Sequence, residues 1–264
     1  MPRPLIGFGS PPSPSNVRLE ATAVRGQPDS AWLPNGLLLV DKPSGVTSHD
    51  VVQLVRRKLS IRRVGHTGTL DPIAEGLLLL LVGAATRHQQ AFQGHDKLYD
   101  ALIRLGTQTD TADATGAVVR TLPVPPLQRS AIEMMLQSLQ GPLVHVPPAY
   151  SAVKVKGRPA YWWTRRQQPV TLAQRTVHLT TLSLIEVREQ TIRFQVHCSA
   201  GTYVRVLAER IAEQLGTVGH LAGLTRLRIG SWRLEQARPL AWFADASSET
   251  IRQALYPVPR SPAA

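Results

Sequence analysis

Residues 65–76 read GHTGTLDPIAEG, and this stretch decides how the chain around it is read. It holds one aspartate, Asp71, in a turn rich in glycine and threonine. Glycine at such places permits positive φ and lets a substrate approach the backbone closely. A basic stretch comes before it (Arg56, Arg57, Lys58, Arg62, Arg63), and the apolar run GLLLLLVG (76–83) follows. The run has the length and composition of a central strand buried on both faces. The turn is no Walker phosphate loop, because Gly-Lys-Ser/Thr is missing. His66 has no second ligand near it at metal spacing. The chain contains no Gly-x-Ser-x-Gly elbow. What is left is a carboxylate at the mouth of a buried strand. Its structural alternative is an aspartate that bonds its own backbone in the turn.

The flanking segments have readable periods. GLLLV (36–40) is an apolar run bounded by Gly36 and DKPSG, which predicts a buried strand. Ser48 is placed to cap a helix with Asp50 in its first turn, and Val51, Val55 and Leu59 recur at helical spacing. YDALIRL (99–105) alternates as a strand does. Ile132, Met135, Leu136 and Leu139 mark a helix stopped by Gly141. TVHLTTLSLIEV and IRFQVHC are predicted to pair. After SAGT, the stripe Val204, Leu207, Ala208, Ile211, Leu215 predicts a helix ending at Gly216. Several strands follow one another directly. That favours an α+β fold with a mixed, mainly antiparallel sheet flanked by helices over a doubly wound one. Residues 1–35 are rich in Pro, Ser and Gly without a sustained period, which predicts a flexible extension.

Charge and composition narrow the class of function. The 264 residues carry 30 Lys+Arg against 18 Asp+Glu, a net charge of +12. Such a balance favours a polyanionic partner, above all nucleic acid. Cys198 is the only cysteine, which excludes an internal disulfide and fits a reducing, cytoplasmic setting. No apolar run approaches a membrane span, and no secretory signal pattern opens the chain.

Five blocks in order carry a resemblance: GLLLVDKPSGVTSHDVV, RRVGHTGTLDPIAEGLLLLLVGAATR, KLYDALIRLGTQTDTADATG, PPAYSAVKVKGRPAY and GTYVRVLAERIAEQLG. Together they closely resemble the TruB family of bacterial tRNA pseudouridine synthases. The resemblance runs from about Gly36 to Trp232, and the Gly-His-Thr-Gly-x-Leu-Asp-Pro block is its most specific part. It implies the pseudouridine synthase fold with a catalytic cleft across the sheet, in residues 36–232. It also implies isomerisation of the uridine at position 55, in the T-arm loop of tRNA, on a flipped-out nucleotide. The reaction conserves every atom, so no cofactor and no metal are expected. The expected state is a monomer with the tRNA T-arm stem-loop as partner. The roughly thirty residues after Trp232 (233–264) read as a tail, too short for a complete PUA domain.

The resemblance also implies roles. Asp71 becomes the catalytic carboxylate, as nucleophile or base. Burial raises the pKa of such a group, and Arg205 of GTYVR is the implied cation that opposes the rise. Tyr203 is implied in the proton step at C5, with helix capping as its alternative. Tyr99 is implied to stack on the base and Leu224 to line the pocket, although both also suit core packing. His66 is implied to fill the space left by the flipped nucleotide. Lys42 of DKPSG is implied in the cleft wall. Lys154 opens a basic run with Lys156, Arg158, Arg165, Arg166 and Arg175, interrupted by Tyr161, Trp162 and Trp163. That run suits phosphate neutralisation and base stacking, or a basic rim over core aromatics. The chain departs from the family at His145, where Gln is usual, and at Thr225, where Arg is usual.

Two other functions stay open at this point. One is an RNA chaperone for the tRNA elbow. The other is a glycosidase, which usually needs two carboxylates in one site. Asp110 and Asp113 are the available partners, and their Gly/Thr-rich setting predicts a solvated loop.

Overall fold

An unbroken apolar run has no solvent face, and both leucine runs end up covered on both sides. The computed structural model describes residues 34–168 and 170–258. Apart from Pro34 and Asn35, the expected flexible extension lies outside the described residues. The first strand is β1 (Gly36–Lys42), followed by helix α1 (Ser48–Leu59), the short strand β2 (Val64–His66) and β3 (Glu75–Val82). In β1 and β3, Leu38, Val40, Leu78 and Leu80 face a core with Val51, Val55 and Leu59 of α1. Leu37, Leu39, Leu77, Leu79 and Leu81 fill a second core on the opposite face with Phe92 and Ile229. Each leucine so buried contributes about 1.5–3 kcal/mol before entropy.

The start of α1 corrects the sequence expectation. Thr47 is the N-cap, and its hydroxyl accepts from the Asp50 amide while Asp50 accepts from the Thr47 amide. Ser48 is buried and its hydroxyl is committed elsewhere: it donates to the Leu70 carbonyl at 3.0 Å and accepts the Leu70 amide at 2.8 Å.

The chain continues through α2 (Gln89–Gln93), β4 (Lys97–Leu105), the ribbon β5 (Thr107–Thr109) and β6 (Val118–Thr121), α3 (Arg129–Ser138) and β7 (Gly141–His145). A small hairpin, β8 (Lys154–Val155) and β9 (Arg158–Pro159), leads into α4 (Ala160–Thr164). The long pair β10 (Arg175–Arg188) and β11 (Thr191–Cys198) precedes α5 (Val204–Gln214) and β12 (Gly219–Ile229). The main sheet closes with β13 (Trp232–Arg233) and β14 (Arg238–Pro239), and helices α6 (Leu240–Asp245) and α7 (Ser248–Gln253) follow.

The main sheet runs β14-β1-β3-β12-β4-β11-β10-β7, with β2 on β3 and β13 on β12. The β14–β1 and β3–β12 pairings are parallel and the rest are antiparallel, as expected of a mixed sheet. The sheet joins in the middle through only two residue pairs, Thr225 with Glu75 and Arg226 with Gly76. Gly76 has φ +95°, and a Cβ there would lie 2.5 Å from the Arg226 carbonyl oxygen, so no other residue lets the strands approach.

The fold does not end at Trp232, where the sequence reading placed the domain boundary. Phe243 and Ile251 are 1% and 0% exposed in the core beside α1, and Tyr256 exchanges both backbone hydrogen bonds with Leu37. Such short helices carry weak periodicity, and their burial depends on contacts distant in sequence. Among the described residues, no helix is long and apolar enough to cross a membrane.

Candidate active site

The turn bearing Asp71 is held by groups from three parts of the chain. Ser48 ties Leu70 to α1, the Gly45 amide donates to the Pro72 carbonyl at 2.8 Å, and the Ser44 hydroxyl donates to the Ile73 carbonyl at 3.1 Å. From β12, the guanidinium of Arg226 donates to the carbonyls of Leu77 at 2.7 Å and Gly68 at 3.1 Å. The Asp71 carbonyl accepts the Ala74 amide, closing the turn at 3.0 Å, while its carboxylate stays free for other partners.

That partner is Arg205, in the first turn of α5. Arg205 Nη2 donates to Asp71 Oδ1 at 3.3 Å, and Nε lies 2.9 Å from Oδ2 as an ion-pair contact. The guanidinium is fixed by the carbonyls of Thr111 at 2.9 Å and Tyr150 at 2.8 Å. Helix α5 places it there because Val204, Leu207, Ala208 and Ile211 anchor its apolar stripe. Burial pushes the Asp71 carboxyl above its usual range, Arg205 works against that rise, and Asp113 adds to it.

Asp113 corrects an expectation. It is 5% exposed rather than solvated. Its Oδ1 accepts from the Thr111 hydroxyl at 2.9 Å, the Thr115 amide at 3.0 Å and the Thr115 hydroxyl at 2.6 Å, and its Oδ2 lies 3.9 Å from Arg205 Nε. The Thr-rich setting that looks solvent-facing in sequence instead supplies donors to a buried carboxylate.

A cavity of about 230 Å³ opens in front of Asp71. Tyr99, Tyr203, Arg205 and Leu224 all line it, so five of the eight residues singled out in the sequence meet in one place. Tyr203 occupies the N-cap of α5 without a side-chain capping bond, so its phenol is not spent on the helix. Burial pushes that phenol up, and the nearby Ser151 hydroxyl works against the rise. The Tyr203 ring meets His145 edge to face at 5.8 Å. Tyr99 is buried, and its phenol is raised by burial and lowered by the charge of Arg226.

The other three residues do not line the cavity. Lys42 is wholly buried, and its ammonium donates to the carbonyls of Pro43 at 2.9 Å and Val46 at 2.8 Å, bracing the DKPSG turn from inside. His66 lies on β2, with Nδ1 buried and unpartnered and its carbonyl accepting from Gln89 at 3.1 Å. Lys154 is exposed on the small hairpin. Beyond it, Arg166 stands 3.8 Å over the Trp162 ring and Arg165 5.5 Å over Tyr161, while Trp163 Nε1 donates to the Val155 carbonyl at 3.0 Å. Trp163 thus packs the hairpin, and Tyr161 and Trp162 carry the cations.

Sequence reasoning missed Lys97 and Arg226, which also line the cavity. A signal was present: Lys97 shares the inward face of β4 with Tyr99, Ala101, Ile103 and Leu105, where a cation has no apolar role.

Comparisons with known proteins follow the same lines. The family model described as TruB family pseudouridylate synthase (N terminal domain) matches residues 56–204. A tRNA pseudouridine synthase B of Hydrogenovibrio crunogenus is 43% identical over 75% of this chain and 65% of its own length. One from Opitutus terrae is 40% identical over 85% of this chain and 93% of its own length. Among solved structures, one of a Cbf5-Nop10-Gar1 complex aligns with TM-score 0.64 and 28% identity, over 84% of this chain and 60% of that one. Another, of an H/ACA RNP bound to a substrate RNA containing 2'-deoxyuridine, aligns with TM-score 0.61 and 26% identity, over 84% of this chain and 59% of that one. The chain therefore spans less than two thirds of the length of several proteins it matches.

Proposed function

Because the chain belongs to the TruB family of pseudouridylate synthases, we propose that it isomerises uridine to pseudouridine at position 55, in the T-arm loop of tRNA. It would act as a cytoplasmic monomer, and a tRNA-folding role is compatible with the same grip. The observation that carries the reading is the Asp71–Arg205 pair, set in a cavity whose other walls include Tyr99, Tyr203 and Leu224.

The residues divide the chemistry. Asp71 acts as an ionised carboxylate, nucleophile or base, and Arg205 keeps it ionised against burial. The extruded uracil stacks on Tyr99, with Leu224 beside it. Tyr203 stays a neutral phenol because burial raises its pKa, so it passes the C5 proton as a relay rather than as a phenolate. Asp113 accepts three hydrogen bonds on one oxygen from its own loop and does not line the cavity, which disfavours the two-carboxylate glycosidase reading.

The test is pseudouridine mapping, by carbodiimide-blocked primer extension, on an unmodified tRNA transcript treated with wild type or Asp71→Asn. A stop at the T-loop uridine with wild type alone is expected. A stop with both proteins removes Asp71 from the mechanism. No stop with either, while both bind tRNA tightly, favours the chaperone role, and free uracil favours glycosidase chemistry.

A further inference from the structure

The cavity holds more positive charge than its carboxylate answers. Lys97 and Arg226 are 7% and 1% exposed, and both line it. The Lys97 ammonium donates to the carbonyls of Gln93, at 2.7 Å, and His95. Arg226 donates to Leu77, Gly68 and, at 3.5 Å, Thr69. Backbone carbonyls satisfy these donors without cancelling their charge. Among the described residues, no Asp or Glu oxygen comes within ion-pair distance of either cation. The groups facing Lys97 do not neutralise it. Cys198, opposite it on β11, has its thiol pushed up to about 11 and stays neutral; Asp96 is engaged by His197; and Arg226 repels it from β12.

Placement gives these charges a use. Arg226 stands directly opposite Tyr99 across the β12–β4 pairing, and Lys97 lies two residues before Tyr99 on the same face. The two cations therefore flank the ring assigned to the target base. A fixed, buried, uncompensated charge is suited to a negative charge that appears only during reaction.

We propose that Lys97 and Arg226 form an anion subsite for the uracil ring as it leaves the ribose. This rests on the pseudouridine synthase reading above. When the C1′–N1 bond breaks heterolytically, its electron pair stays with uracil, and the charge spreads over N1, O2 and O4. The pair that forms the new bond to C1′ comes from C5; C5 then loses its proton and N1 gains one, so every atom is retained. Between the two bonds the base is an anion, and Lys97 and Arg226 stabilise it without reorganising. Lys97 and Arg226 are thus assigned a part in the chemical step beyond that of scaffold.

The experiment is a single-turnover reaction of tRNA carrying uridine or 5-fluorouridine at the target, with tRNA affinity measured alongside. Both are read as loss of the original N-glycoside, because the fluorinated C5 has no proton to lose. Fluorine acidifies N1–H, so the fluorinated base needs less help to leave. Lys97→Met is expected to slow uridine conversion by about 100-fold to 1,000-fold, the range for losing one preorganised electrostatic donor. Its tRNA Kd is expected to change by less than about threefold, and its loss on 5-fluorouridine to be clearly smaller. Lys97→Arg, which keeps the charge, is expected to hold most of the uridine rate. Equal loss on both substrates, or no loss on either, overturns the proposal. Should Lys97→Met not fold, the pH profile decides. Lys97 is lowered to about 8, chiefly by burial and next by Arg226, so the wild-type rate on uridine is expected to fall as pH rises through about 8 and the Lys97→Arg rate is not. The same fall in both proteins, or in neither, overturns it. Wild type that makes no pseudouridine overturns the underlying reading instead.

Discussion

Asp71 and Arg205 lie 134 positions apart in sequence, yet their charges meet over two contacts of 3.3 and 2.9 Å. Opposed influences act on Asp71: burial raises its pKa and Arg205 lowers it. On the proposed role an ionised Asp71 is required, so activity is expected to be lost as pH falls through its folded pKa, which burial raises above the ordinary carboxylate value. Removing the cation in Arg205→Met takes away the lowering influence. The acid limb of the single-turnover rate is then expected to move to higher pH, and an unchanged limb would mean that Arg205 does not tune Asp71. The residue scale was only partly legible in sequence. The motif blocks carried Asp71, Tyr99, Tyr203, Arg205 and Leu224 into one cavity. The Gly/Thr-rich composition around Asp113 misassigned its setting, because composition names residue types without saying whether a side chain points to solvent or into the protein.

At the scale of elements, the turn bearing Asp71 is positioned by its neighbours. Thr47 and Ser48 are adjacent hydroxyl residues with different tasks. Thr47→Ala removes the α1 cap and should cost about 1 kcal/mol in a denaturation midpoint, with the single-turnover rate of the folded enzyme unchanged. Ser48→Ala leaves the Leu70 amide buried without its acceptor, at about 1–3 kcal/mol. It should also slow the chemical step, since Leu70 adjoins Asp71. Equal rates for the two variants would show that this tether does not set the turn. The period of Val51, Val55 and Leu59 was enough to find α1. It could not tell Thr47 from Ser48 as cap, because either hydroxyl suits the role and only the docked turn claims one of them.

For the whole molecule, two consequences follow from where charge and apolar surface lie. The chain carries a net charge of +12, and Arg165 and Arg166, just past α4, stand over Tyr161 and Trp162. tRNA affinity is expected to fall linearly on a logarithmic salt scale, read by filter binding. Arg166→Ala should make that slope shallower by about one phosphate contact. A flat response would remove the basic patches from the interface. Residues beyond Trp232 belong to the fold, so Phe243→Ala should cost about 3–5 kcal/mol in denaturant unfolding. A negligible cost would place α6 outside the cooperative unit. These contacts escaped sequence reading because α6 and α7 are six residues each and find their core only against α1 and β1.

By itself the sequence determined the elements whose periodicity is strong, the doubly buried β1 and β3, the basic character and, through its ordered blocks, the family. Those properties are local or compositional, and each survives reading one window at a time. Only the tertiary structure decided that two-residue pairing joins β3 to β12, that Gly76, Arg226 and Tyr99 stand side by side across three strands, and that Lys97 and Arg226 bring uncancelled charge to the cavity. Burial and the absence of a counter-ion are properties of three-dimensional surroundings, and residues far apart in sequence create them.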